Sequence, residues 1–407
     1  MFITPVMPQH SGMGLAMRAA VQLQALMRAF DTSVLLLPVV ETGSTRNRFA
    51  VEFPGARLEV MDHGGEVDPY FAMISRLGDT AEQLLHFGRY GKQSLAAAVT
   101  QSVTGQVAAR VMAEGAVLVH VFRSYLAGTL EHVPREIVRS IDLDEDDVSS
   151  FQSSASAFAV SGERLAARWA QLEAAAFERL YATKLAPFRS ITLANPDDVP
   201  RVAARHPGLP LRAMPNCIAV PRLNAIVPRN GNATMLFVGS LRYAPNVDGL
   251  LWFIRSVLPR IPGARLRIVG RKPAAALLAH ARPGRVEFSG YVDDIASAYR
   301  EARLAIAPMR SGGGTRLKIL EAAAHGVPVV ATSAAAEGLW TAEPPWGVAA
   351  DNEHRFALAC RQLLAHPHEA MRLGRRGRHA VSRRYGSERI VRQWTELFHD
   401  ISKGQPA

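Results

Sequence analysis

The chain has 407 residues, 48% hydrophobic and 20% charged, with a formal net charge of +11, which is the profile of a globular protein long enough for two full cores and not of a disordered chain. Its two cysteines, Cys217 and Cys360, stand far apart and in no Cys/His cluster, which argues against a disulfide framework and a zinc site and for a reducing compartment. No run of about 18 uncharged apolar residues exists, and the opening MFITPVMPQHSG lacks the charged lead and long apolar core of a secretory signal, so the expected location is cytoplasmic, at most peripheral at the inner membrane face.

In chain order, MFITPV reads as a strand and GLAMRAAVQLQALMRAF as a helix with Leu15, Ala19, Gln22 and Leu26 on one stripe. TSVLLLPVV, AVLVHVF and REIVRSIDL follow as apolar runs of the kind found in buried parallel strands. A long helix is expected over about residues 161–183, with Leu165, Trp169, Leu172, Ala176 and Leu180 at helical spacing, and SITLAN closes this half as its last strand. The stretch 206–230 is rich in Pro, Asn and Arg and reads as a linker. The pattern then restarts, with ATMLFVGS, RLRIVG, RVEFSGYV, RLAIAPM and VPVVAT as five strands separated by helical stretches. Alternating strands and helices imply parallel sheets covered by helices. The expected fold class is therefore α/β, two doubly wound Rossmann-like domains over 1–205 and 231–385, with a last helix, 386–407, packing back on the first domain. Ligands of such sheets bind at the carboxyl ends of strands.

The densest chemical signal is PMRSGGGTRLKILEAAAHGVPVV, residues 308–330. Gly312, Gly313 and Gly314 follow a buried strand and precede a helix. A helix N-terminus presents unpaired N–H groups and partial positive charge that suit a phosphate, glycines let that backbone come close, and Arg316 and Lys318 add two cations. The combination points to a diphosphate. Glu321 has two readings, an i,i+3 partner of Lys318 or a carboxylate accepting from ribose hydroxyls. The P-loop pattern GxxxxGK[ST] is absent, and GMGLAM carries Met17 where the dinucleotide fingerprint needs a third glycine.

Residues 231–395, from VGSLRYAPNVDGLLWFIRSVLPRIPGARLRIVGR through VEFSGYVDDIASAYREARLAIAPMRSGGGTRLKILEAAAHGVPVVATSAAAEGL, resemble the C-terminal half of the GT-B glycosyltransferases, and most nearly their large retaining family 4. The likeness continues more weakly through SGMGLAMRAAVQLQAL, VHVFRSYL, DLDEDDVSS and MPN. The resemblance implies a nucleotide-diphosphate sugar held mainly by the C-terminal domain, an acceptor held mainly by the N-terminal domain facing it across a central cleft, and no cofactor or metal. Residue by residue it implies Glu321 on the ribose, Gly312, Gly313, Gly314 and Thr315 on the sugar and diphosphate, and Gly12 and Gly14 in an N-terminal turn against the diphosphate. It also places His120 near the transferred sugar, Gly290, Tyr291 and Val292 near the nucleobase, and Gly239 and Arg242 in the loop after the first strand of the second domain.

Two departures from the family pattern stand out. Gly313 occupies the position eight residues before Glu321 where a glutamate is usual, and Asn246 stands near a usual lysine. Arg316 and Lys318 are expected to supply the missing positive charge and, with His120, to form the catalytic set.

Three features keep other readings in view. A histidine in a buried strand can instead satisfy a local hydrogen bond. The acidic run Asp142, Asp144, Glu145, Asp146, Asp147 follows a strand and either offers a base for the acceptor hydroxyl or caps the next helix in solvent. Arg372, Arg375, Arg376, Arg378, Arg383 and Arg384 crowd one stretch, as a solvated helical face or as a surface for anionic lipid head groups. No nucleic-acid motif is present. The expected activity is sugar transfer to a hydroxyl, on a glycan or lipid-linked acceptor of polysaccharide or glycolipid biosynthesis. A nucleotide-sugar epimerase of the same fold and a non-catalytic nucleotide-sugar or glycan-binding protein are the alternatives.

Overall fold

The computed structural model describes residues 1–12, 14–39, 46–61, 67–160, 162–222, 233–292, 294–311, 317–340 and 345–404. They form two compact units, Met1–Asn216 with Glu388–Ala407, and Cys217–Ser387.

The first unit runs β1 (Phe2–Thr4), α1 (Gly14–Ala29), β2 (Ser33–Leu36), α2 (Arg46–Glu52), β3 (Arg57–Val60), α3 (Pro69–Arg76), α4 (Thr80–Tyr90), α5 (Gln101–Ala113), β4 (Leu118–Phe122), β5 (Val138–Asp144), α6 (Asp147–Val160), α7 (Arg164–Lys184), β6 (Ser190–Leu193), α8 (Asp198–Arg205) and β7 (Leu211–Ala213). Its sheet has the order β3-β2-β1-β4-β5-β6-β7, every pair parallel. Strands β1, β2, β4 and β6 bury every residue, as LVHVF in β4 does, because helices cover both faces and leave no solvated side to alternate with.

The second unit runs β8 (Thr234–Val238), α9 (Ala244–Trp252), β9 (Arg265–Val269), α10 (Ala275–Leu278), β10 (Val286–Gly290), α11 (Ile295–Glu301), β11 (Leu304–Ala307), α12 (Leu317–Ala324), β12 (Val329–Ala331), α13 (Ser333–Ala336), β13 (Val348–Ala349), α14 (Glu353–Ala365) and α15 (Pro367–Tyr385). Its sheet, β10-β9-β8-β11-β12-β13, is also all parallel. Helix α15 packs against α12 and the turn that follows it. A Cβ at Gly374 would stand 2.1 Å from the Gly326 carbonyl oxygen, so only glycine permits that approach.

The last helix, α16 (Ser387–Ser402), packs in the first unit. Its Trp394 and Phe398 lie against His120 of β4 at ring-centroid distances of 5.5 and 4.9 Å. Arg28 of α1 donates to both carboxylate oxygens of Glu388 at 2.9 and 3.0 Å. Among the described residues, no helix is long and apolar enough to cross a membrane.

The structure departs from the expected elements at the sheet edges. SITLAN is not the last strand of its unit, since β7, inside the stretch read as linker, adds a seventh. β3 and the two-residue β13 carry no apolar run. β3 is half-exposed at alternate positions and exposed at the others, and edge strands of this kind lack the signal that identifies a buried strand. In α7 the apolar stripe is half-buried at Trp169 and Leu172 and buried at Ala176 and Leu180; the Trp169 indole stacks on Phe87 at 4.1 Å, while Leu165 is left 53% exposed.

Candidate functional site

In both sheets the strand order reverses beside the first strand of the unit, and a doubly wound sheet opens its ligand crevice at that point, beyond the carboxyl ends of the strands. In the second unit the reversal falls between β8 and β11. Gly239 directly follows β8 there, its N–H donating to the Val269 carbonyl at 3.0 Å. A Cβ on Gly239 would lie 2.9 Å from Asn246 Nδ2 and 3.3 Å from both Cε and Nζ of Lys318. The missing side chain is what lets the Lys318 ammonium stand over the strand end.

Lys318 sits in the first turn of α12. Its Nζ donates to Asn246 Oδ1 at 2.6 Å, contacts Met309 Sδ at 3.5 Å and lies 4.7 Å from the centroid of the Phe237 ring, a cation–π contact. Asn246, 3% exposed in α9, is itself fixed by its Nδ2 donating to the Ser240 carbonyl at 2.8 Å. Beside it, Arg310 donates to both oxygens of Asp248 at 2.6 and 3.1 Å. The loop after β9 comes equally close, since a Cβ on Gly270 would stand 2.0 Å from the Gly239 carbonyl oxygen.

One turn on from Lys318, Glu321 accepts from the Tyr299 hydroxyl at 3.1 Å through Oε2. Tyr299 is fully buried and stacked on His325, with ring centroids 4.9 Å apart. Burial raises the Glu321 carboxyl above its ordinary value, against the Tyr299 hydrogen bond and the nearby Lys318 charge. Of the two readings of Glu321, the geometry thus gives it Tyr299 as hydrogen-bond partner and sends the Lys318 ammonium to Asn246. Gly290 ends β10 at φ 66°, a left-handed conformation that favours glycine. Tyr291 beyond it is 56% exposed with the Arg271 guanidinium 3.9 Å over its ring, and Val292 packs on the core. Arg242 is exposed in the turn after β8. Gly312, Gly313, Gly314, Thr315 and Arg316 lie outside the described residues.

In the first unit Gly12, at φ 112°, precedes Gly14, the first residue of α1, in the loop that follows β1. His120 is corrected by the structure. It is the middle residue of β4, two short of the carboxyl edge, and fully buried. Its Nδ1 lies 2.8 Å from Ser140 Oγ and its Nε2 3.2 Å from Gln22 Oε1, while Phe2, Trp394 and Phe398 enclose the ring. Burial pushes its pKa down to about 3. It is a neutral core histidine, not a group presented to a sugar.

The acidic run is corrected too. It is neither a solvated cap nor a free base. Asp142, Asp146 and Asp147 are 0, 1 and 3% exposed, and each meets an arginine. Arg18 of α1 grips Asp142 with Nε at 2.6 Å and Nη2 at 2.8 Å and also donates to Asn216 Oδ1 and the Met214 carbonyl. Gln22 and Thr192 donate to the same carboxylate. Burial raises the Asp142 pKa, yet the Arg18 charge and hydrogen bonds outweigh it and hold the carboxyl below its ordinary value. Arg123 reaches Asp147 at 2.7 Å and Asp144 at 3.2 Å, and Arg205 reaches Asp146 at 2.7 Å. Arg123 and Asp144, at the carboxyl ends of β4 and β5, both adopt positive φ, 78° and 70°, a conformation that non-glycine residues hold only when their surroundings over-determine it. Arg18 is a residue sequence reading missed. The signal was available, because it stands one turn before Gln22, and two polar residues on one buried stripe call for a buried partner.

Among the described residues no group of three or more His, Cys, Asp or Glu side chains is placed to hold a metal ion. Residues 232–366 match the family model described as glycosyl transferases group 1. An exopolysaccharide phosphotransferase of Streptomyces coelicolor is 30% identical over 204 residues, covering 47% of this chain and 21% of that protein, so the chain spans about a fifth of that relative's length. The solved sucrose-phosphate synthase of Thermosynechococcus elongatus superposes with a TM-score of 0.67 at 15% identity, over 99% of this chain and 100% of that one. Anabaena HepE, solved in complex with UDP and glucose, superposes with a TM-score of 0.64 at 11% identity, over 98% and 100%. At such identities the likeness establishes the fold, which is GT-B.

Proposed function

From a glycosyl transferases group 1 domain at residues 232–366, within a chain of GT-B fold, we propose that the protein transfers a sugar from a nucleotide-diphosphate sugar to an acceptor hydroxyl. The observation that carries this reading is the Lys318 ammonium, standing over Gly239 at the switch point of the second sheet and aimed by Asn246. A fixed cation at that crevice suits the charge that develops on a departing diphosphate, and Glu321, one turn further along α12, accepts from the ribose hydroxyls. On the family resemblance, Gly312–Thr315 and Arg316 add to the phosphate contacts.

In this mechanism the bond from the anomeric carbon to the phosphate oxygen breaks while the acceptor oxygen attacks from the same face, and the acceptor's proton passes to the leaving diphosphate. The anomeric configuration is retained. The protein orients the pair and stabilises charge, with Lys318 doing what a divalent ion does elsewhere. The acceptor is a glycan or a lipid-linked glycan of polysaccharide or glycolipid assembly, reached from the cytoplasm with peripheral contact at the membrane. The UDP and glucose in HepE and the naming of the Streptomyces relative support this class.

The test is a panel of nucleotide sugars incubated with and without candidate glycan acceptors, reading nucleoside diphosphate release and the isomeric state of the donor. Acceptor-dependent release, reduced roughly 10²–10³-fold in Lys318→Ala, is expected. Donor isomerised without acceptor, or no donor consumed with any acceptor, overturns the reading.

A further inference from the structure

On the second unit, β13, α14 and α15 enclose a hollow of about 600 Å³. Its apolar floor is Val348, Leu363 and Leu373, and its rim carries Arg372, Arg375 and Arg376. The residues of α15 that face the core are Ala370, Leu373, Gly374, Gly377, Val381 and Tyr385, so helical spacing turns the three arginines outward together, and all three are exposed. The acid on the same rim is Glu369, 4.0 Å from Arg372 and itself solvent-exposed. Arg372 and Arg376 stand four apart, where like charges on a helix repel, and the exposed Arg383 extends the cationic face. On α14, Leu358 is 54% exposed one turn before Gln362, which lines the hollow.

We propose that this hollow docks the protein on an anionic phospholipid bilayer, taking a head-group phosphate between Arg372, Arg375 and Arg376. Three lines of chemistry converge on that occupant. Guanidinium groups present forked donors matched to phosphate oxygens. Like charges crowded on one helix face are relieved by an anionic surface. The apolar floor and the exposed Leu358 suit the glycerol and upper acyl region beneath the phosphate, which an inorganic anion does not offer. The inference deepens the membrane contact in the proposed function and is independent of the donor site.

The experiment is co-sedimentation of the full chain, without donor, on phosphatidylglycerol–phosphatidylcholine vesicles and on phosphatidylcholine vesicles. The wild type is expected to partition onto the anionic vesicles and to be released by salt. The triple variant Arg372→Gln/Arg375→Gln/Arg376→Gln should bind about a hundredfold more weakly, and Arg376→Gln alone about fivefold, from the contribution of each cation near an anionic surface. The single variant serves if the triple one does not fold. Equal binding by wild type and variants, equal binding to both vesicle types, or a thermal shift with inorganic phosphate without vesicle binding each overturns the proposal. Because binding is read without donor, its failure is separate from failure of the transferase reading.

Discussion

Lys318 and Asn246 form one unit. The ammonium of α12 donates to the amide oxygen of α9 at 2.6 Å, and the amide nitrogen is tied to the Ser240 carbonyl at 2.8 Å. The family resemblance leads one to expect a lysine near this asparagine, whereas here the cation at the end of β8 comes from the neighbouring helix α12. Lys318→Ala should lower turnover roughly 10²–10³-fold, as loss of one charge-stabilising donor does, and Asn246→Ala, which leaves the ammonium unaimed, by about tenfold. Gly239→Ala should resemble Asn246→Ala, because its Cβ would stand 2.9 Å from Asn246 Nδ2. Steady-state kinetics on all three check this.

Tyr299 positions Glu321 through the 3.1 Å hydrogen bond to Oε2. Tyr299→Phe should raise KM for the donor about tenfold, the scale of one hydrogen bond to a charged group, with kcat within about twofold. Burial already raises the Glu321 pKa, and loss of a donor to the carboxylate raises it further. Ribose recognition needs the ionised form, so affinity falls as pH drops through that pKa, and in Tyr299→Phe it should fall at higher pH. Donor affinity measured against pH separates this from a merely structural effect.

The Arg18–Asp142 pair is a stability element, with side chains 2 and 0% exposed. Asp142→Asn removes the nearer of the two carboxylates that meet the buried guanidinium, leaving only Asp144 at 3.3 Å from Arg18 Nε, and should cost about 3 kcal/mol. Arg18→Met combined with Asp142→Leu should cost less than the single change, because no charge is left stranded. Denaturant unfolding of the two variants decides.

His120 makes stability pH-dependent with a definite sign. Its folded pKa of about 3 lies below the unfolded value of about 6.5, so between those values the unfolded chain binds more protons. Stability contributed by neutral His120 is fully present above about pH 6.5 and is lost as pH falls, by up to about 1.4 kcal/mol per pH unit. His120→Gln should remove about one proton's worth of that slope, whatever its effect on stability at neutral pH.

Much of this was legible in the sequence, and the rest was hidden for physical reasons. The buried strands β4, β8, β9 and β11 announce themselves as apolar runs, and Lys318 and Glu321 by their place after the glycines. Edge strands β3, β7 and β13 do not, because a half-exposed strand needs no apolar run. For His120 the sequence left two readings open, and deciding between them needs Trp394 and Phe398, more than 270 residues away in the chain. Arg18 and Asp142 are separated by 124 residues, and only the parallel order of β1, β4 and β5 makes them neighbours.

In the proposed function, Lys318 holds the diphosphate of a nucleotide donor. Calorimetric titration of the wild type and Lys318→Ala with nucleoside diphosphates and the matching monophosphates tests it most directly. The wild type should bind a diphosphate more tightly than its monophosphate, and Lys318→Ala should lose that preference. A wild type indifferent to the second phosphate, or a variant that keeps the preference intact, would contradict it.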